Sequence, residues 1–175
     1  MEILRPFTST PRTELFKIQA SLHAVSASQV HIDFHISGPL EQILWPDPHL
    51  IEARQDELWK HTCLEAFFSS SATAEAPYTE INCAPNGLWN AYSFSSYRQG
   101  MSPALHITVR LKERTARQDH AHFLIEVNSS VPLQTGTWGL TAVVEFQDGE
   151  KSYWALNHPR ETADFHDKRG WKTES

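Results

Sequence analysis

The sequence predicts an all-β protein, an antiparallel β-sandwich of about nine strands. Three observations carry that expectation. Segment after segment alternates apolar and polar residues with a period of two. Turn residues separate these segments at short intervals. Helical periodicity is nearly absent.

In chain order, Phe16, Ile18, Ala20, Leu22 and Ala24 alternate with Lys17, Gln19, Ser21 and His23. Val30, Ile32, Phe34 and Ile36 alternate with His31, Asp33 and His35. Pro39 to Trp45 predicts one short helical turn, ended by Trp45-Pro46-Asp47-Pro48. Thr62 to Phe68 is apolar on both faces, which predicts a central strand. Ser69 to Pro77, small and polar, predicts a flexible loop. Tyr78–Cys83 and Trp89–Phe94 are short and aromatic-rich, joined through the turn Pro85-Asn86-Gly87.

Leu105, Ile107, Val109 and Leu111 alternate with His106, Thr108, Arg110 and Lys112. Ala121, Phe123, Ile125 and Val127 alternate with His120, His122, Glu126 and Asn128, broken by Leu124. Leu140, Ala142, Val144 and Phe146 alternate with Thr141 and Glu145. Gln147-Asp148-Gly149-Glu150 predicts a hairpin turn in which Asp-Gly supplies positive φ angles, leading into Ser152–Leu156. The segment after Leu156 reads as irregular.

The chain has 175 residues, which suits one domain over 1–175 that folds without metal or disulfide staples. Its formal net charge is −6, and Arg110 to Arg117 reads as a solvated strand end, so nucleic acid is not an expected partner. No apolar run approaches the roughly 20 residues of a membrane span. Met1 to Arg12 lacks the apolar stretch of a secretory signal, so a cytoplasmic location is expected, with export the alternative if the N-terminus was trimmed. Cys63 and Cys83 read as free buried thiols, with a disulfide open only if their strands are neighbours.

Most of the unusual chemistry lies between residues 52 and 101. On an extended strand His61, Cys63, Glu65 and Phe67 share one face, and Tyr78, Glu80 and Asn82 share a face of the next. A carboxylate on such apolar strands costs several kcal/mol to desolvate unless it is paired or wet. Glu65 and Glu80 therefore read either as lining a cavity or as anchoring loops through backbone N–H groups. Trp89, Tyr92 and Arg98, with Asn90, offer the rings and planar polar groups a sugar surface needs, although rings also fill sandwich cores. His31, Asp33 and His35 share one strand face and suit either a metal or, as the more ordinary reading, a solvated polar face; His120 and His122 read the same way. No nucleophile elbow, Gly-rich phosphate loop or Cys-x-x-Cys pair occurs.

The block Leu58-Trp59-Lys60-His61-Thr62-Cys63-Leu64-Glu65-Ala66-Phe67-Phe68 carries a resemblance, together with Tyr78-Thr79-Glu80-Ile81-Asn82 and Ala84-Pro85-Asn86-Gly87-Leu88-Trp89-Asn90-Ala91-Tyr92. Tyr97-Arg98-Gln99-Gly100-Met101, His158-Pro159 and Asp164-Phe165-His166 extend it over nearly the whole chain. Together they resemble the stand-alone bacterial DOMON-like proteins, relatives of family-9 carbohydrate-binding modules. The resemblance implies an immunoglobulin-like or jelly-roll sandwich with a ligand pocket at one sheet, holding a sugar or a haem.

The resulting expectation is a non-catalytic domain that binds a carbohydrate or sugar-like small molecule, with no cofactor or metal. The expected ligand-binding residues are His61, Glu65, Tyr78, Glu80, Asn82, Trp89, Tyr92 and Arg98. The alternative is b-type haem, with Met101 and His158 or His61 as axial ligands. A protein-interaction module and, at lower rank, a glycoside hydrolase using Glu65 and Glu80 complete the set.

Overall fold

A strand sends successive side chains to opposite faces, so each alternating segment offers one apolar face that must be covered. The computed structural model describes residues 1–173, and in it these faces close on one another. The strands are β1 (Glu2–Pro6), β2 (Lys17–Ser26), β3 (Gln29–Ser37), β4 (Cys63–Ser69), β5 (Tyr78–Cys83), β6 (Trp89–Phe94), β7 (Ser102–Pro103), β8 (Ile107–Ala116), β9 (His120–Ser129), β10 (Thr137–Glu145), β11 (Lys151–Ala155) and β12 (Lys172–Thr173). Helix among the described residues is limited to four single 3-10 turns, one of them Leu40–Gln42 inside the predicted segment.

Among the described residues twelve strands stand where nine were expected. The nine alternating or aromatic segments are all present. The additions are β7 and β12, each of two residues, and β1, in which only Leu4 is buried. A two-residue segment carries no readable period, and β1, with a single buried residue, shows no alternation.

The pairing is antiparallel throughout and runs β7-β6-β5-β4-β10-β11-β1-β2-β3-β9-β8, with β12 paired to one end of β10. β1 carries the chain of pairing from one layer to the other: Glu2 to Leu4 pair with β2, while Arg5 and Pro6 pair with β11. The first sheet is thus β7 to β11 in that order, and the second is β2-β3-β9-β8. Ile18, Ile32, Phe34, Phe123 and Ile125 of the second sheet meet Leu64, Phe68, Ile81, Leu140 and Trp154 of the first in one core. Each fully buried side chain of this size contributes about 1.5–3 kcal/mol.

β4 lies between β5 and β10, as its two apolar faces predict. Leu64 pairs with Cys83, so Cys83 points into the inter-sheet core while Cys63 points to the opposite face. Both thiols are free and buried, and they occupy opposite sides of the sheet. In the β10–β11 turn only Gly149 takes a positive φ, 84°; Asp148 does not share it, contrary to the turn expected. The loop after β4 is tied down rather than loose, because Lys168 Nζ donates to Ser69 Oγ at 3.0 Å, Thr73 O at 3.0 Å and Ala76 O at 2.6 Å.

Candidate functional site

The outer face of the first sheet is not a plain solvated face. Register places Thr141, Glu65, Asn82 and Asn90 side by side across β10, β4, β5 and β6. The next row holds Gly139, Phe67, Glu80 and Tyr92, and the one after it Thr137, Ser69, Tyr78 and Phe94. Three of these rings would meet water if the sheet stood alone. The C-terminal segment covers them instead. Trp171 lies 5.4 Å from the Phe67 ring, and His166 packs edge-on to Phe67, Tyr78 and Phe94. Tyr78 and Phe94 stack at 4.6 Å. Gly139 is required beneath Trp171: a Cβ there would sit 2.7 Å from the indole Cδ1.

Between this cover and the 3-10 turn Leu58–Lys60 a cavity of about 320 Å³ remains, lined by Trp59, Glu65, Glu80, Phe94, Arg98, Met101 and His166. Its floor is two buried carboxylates, Glu65 and Glu80, 3% and 4% exposed. Glu65 Oε2 accepts from Thr141 Oγ1 at 3.2 Å, while its Oε1 is buried and meets no donor among the described residues. Glu80 Oε1 accepts from Asn82 Nδ2 at 2.7 Å. Its Oε2 lies 3.9 Å from His166 Nε2.

Burial raises the pKa of both carboxyls. For Glu65 it acts together with the nearby Glu80 charge and lifts the group well above the ordinary range. For Glu80 it outweighs the Asn82 hydrogen bond and the Arg98 charge, giving a value of about 7. Both carboxyls therefore hold a proton to higher pH than an ordinary glutamate does.

The walls are set by local contacts. The Tyr78 hydroxyl accepts the Arg98 backbone N–H at 3.2 Å and lies 2.7 Å from His166 Nδ1. Burial, then the Arg98 charge, depresses His166 to about 4, so the ring is neutral near pH 7. With Tyr78 donating to Nδ1, the ring proton sits on Nε2 and faces Glu80. Arg98 adopts a left-handed backbone, φ 54°, and donates through Nη2 to Asp164 Oδ1 at 2.9 Å. Tyr97 donates to the other Asp164 oxygen. Trp59 meets Tyr92 edge-to-face at 5.7 Å, and the Tyr92 hydroxyl is held by Asp56 at 2.6 Å and Asn90 at 2.9 Å.

Of the expected site residues, Glu65, Glu80 and Arg98 come together on the cavity wall. Asn82 stands behind Glu80, Tyr78 behind His166 and Tyr92 behind Trp59. Two lie elsewhere. Trp89 points into the inter-sheet core, where Arg54 covers its ring at 4.2 Å, because the β6 alternation that exposes Asn90 and Tyr92 outward turns Trp89 inward. His61 precedes β4, pairs with Glu145 Oε2 at 2.7 Å and lines a different cavity beside Trp45 and Leu58.

The alternative haem ligands do not share a site either. Met101 lines the first cavity, His61 the other, and His158 Nε2 contacts Arg5 O at 2.9 Å. Trp59, Phe94 and His166 line the cavity without belonging to the expected set. Trp59 stands two residues before the expected His61, whereas nothing local to His166 announces that it folds back 88 residues to Tyr78.

No family model and no curated protein matches the chain. Two solved structures are similar in fold. One is a protein of Bacteroides uniformis ATCC 8492, provisionally assigned as carbohydrate-binding, with a TM-score of 0.61 over 98% of this chain and 85% of that chain at 11% identity. The other is a family-9 carbohydrate-binding module from Caldicellulosiruptor kristjanssonii in complex with cellotriose, with a TM-score of 0.55 over 91% of this chain and 73% of that chain, also at 11% identity. The chain thus shares the β-sandwich architecture of these two structures.

Proposed function

We propose that this chain is a non-catalytic domain that binds a carbohydrate in the cavity bounded by Trp59, Glu65, Glu80, Arg98 and His166. The observation that carries the reading is Glu65, which lines a cavity with aromatic walls and whose buried Oε1 has no hydrogen-bond partner among the described residues. Leaving such an atom unpaired costs about 1–3 kcal/mol, which a sugar hydroxyl would recover. A pyranose needs a ring to stack its C–H face against and polar groups for its edge. Trp59 and Phe94 supply the first, and the two carboxyls, Arg98 and the His166 Nε2–H supply the second. The cavity volume suits a small molecule. The fold shared with a module that holds cellotriose supports the same reading.

Titrating intrinsic tryptophan fluorescence against mono- and oligosaccharides, cello-oligosaccharides included, tests it. A saturable change with at least one sugar is expected, and a flat response across the panel would overturn it. One observation favours a second reading: a carboxyl with a pKa of about 7 beside another carboxyl suits general-acid chemistry. Turnover of chromogenic glycosides by the wild type that is lost in Glu80→Gln would move the assignment to a hydrolase.

A further inference from the structure

The outer face of the second sheet carries a cluster unrelated to the cavity. The outward residues of β3 include Asp33 and His35, and those of β9 include His120 and His122. His35 and His122 are direct cross-strand partners, and their rings stack at 4.4 Å with planes 20° apart. His122 Nε2 lies 2.9 Å from Asp33 Oδ1. His35 Nδ1 lies 3.3 Å from His120 Nε2, whose own Nδ1 is 3.1 Å from Ser37 Oγ. One ligand atom from each of Asp33, His35 and His122 falls within 4.8 Å of the other two. The His122 and Asp33 side chains are only 20% and 22% exposed, so water does not compete freely for them.

We infer that Asp33, His35 and His122 form a binding site for a divalent cation of the zinc class. Two imidazoles and one carboxylate are a donor set for Zn²⁺, Co²⁺ or Ni²⁺ rather than Ca²⁺ or Mg²⁺, which prefer oxygen alone. Bonds of about 2.0–2.1 Å in a tetrahedron set neighbouring ligand atoms about 3.3 Å apart. The His122–Asp33 separation of 2.9 Å is within a few tenths of that edge, and a cation would replace the proton those two atoms now share. Side-chain rotation of the partly exposed His35 closes the remaining gap. The fourth position is left to water or to His120, which otherwise orients His35.

His35 and His122 face each other directly across the strand pair, where two like charges are destabilising, so the stacked imidazoles disfavour being charged together.

The test is calorimetric titration of tag-free, chelator-stripped protein with Zn²⁺ and with Co²⁺, each followed by a thermal melt. One tight equivalent is expected, with a rise in Tm on zinc addition. Asp33→Asn should weaken it by at least about tenfold, and the His35→Gln/His122→Gln double variant should abolish it. These side chains lie on the outer face of the sheet, outside the inter-sheet core, so both variants should keep the wild-type circular dichroism spectrum. The chain has ten histidines, so His49→Ala, an exposed histidine outside the cluster, is the control and should bind as the wild type does. Absence of a tight equivalent, its survival in Asp33→Asn and the double variant, or equal loss in His49→Ala would overturn the inference.

Discussion

The Tyr78 hydroxyl lies 2.7 Å from His166 Nδ1, and this contact fastens the C-terminal segment to the middle of the first sheet. It also sets the tautomer that aims the His166 Nε2–H at Glu80. Tyr78→Phe would leave His166 Nδ1 and the Arg98 N–H without their shared partner. Urea unfolding should show a loss of about 1–3 kcal/mol. No loss would mean that the ring packing alone holds the segment.

Glu80 makes stability depend on pH. The folded chain holds its proton more tightly than the unfolded chain does, at about 7 against 4.5. The stability linked to this group is therefore complete below about pH 4.5 and is lost as pH rises through about 7. Glu80→Gln keeps the acceptor for Asn82 and removes the charge. Unfolding curves at pH 4 and pH 8 should show the variant gaining roughly 1–3 kcal/mol on the wild type at the higher pH only.

The two tryptophans should separate stability from binding. Trp89 sits in the inter-sheet core, and Trp89→Ala should cost about 3–5 kcal/mol. Trp59 stands at the cavity mouth on a single 3-10 turn, and its loss should leave the sandwich largely intact while weakening sugar binding at least about tenfold. Paired melting and sugar titrations of the two variants check this. A severe melting defect in Trp59→Ala would contradict it.

Lys168 is a buried ammonium whose three acceptors all belong to the segment from Ser69 to Ala76. Lys168→Met would strand those oxygens. Limited proteolysis should then cut within residues 70–77 several times faster than in the wild type, with a stability loss of roughly 1–3 kcal/mol.

The sandwich was legible because period two is a local signal. β2, β3, β8 and β9 each announce their inward face in consecutive residues, and the doubly apolar β4 announces its central place. The site was legible only in part. Glu65 and Glu80 stood out as charges on apolar strands, and register then brought them to one cavity. Trp89 misled because its residue type fits both a sugar platform and a core, and only the alternation from Asn90 decides its face. His166 and Lys168 act through contacts that span 88 and 92 to 99 residues, and such closure leaves no mark in local pattern. The Asp33, His35 and His122 cluster needs the β3–β9 register, which joins residues 87 apart in the chain (122 − 35).

The unpartnered Glu65 oxygen is the centre of the functional account, so one measurement tests it most directly. The sugar that gives the strongest fluorescence change should be titrated calorimetrically into the wild type and into Glu65→Gln and Trp59→Ala. Saturable binding to the wild type is expected, with a loss of at least about tenfold in each variant and unchanged folded spectra. Equal binding by all three would place the sugar elsewhere and contradict the assignment of this cavity.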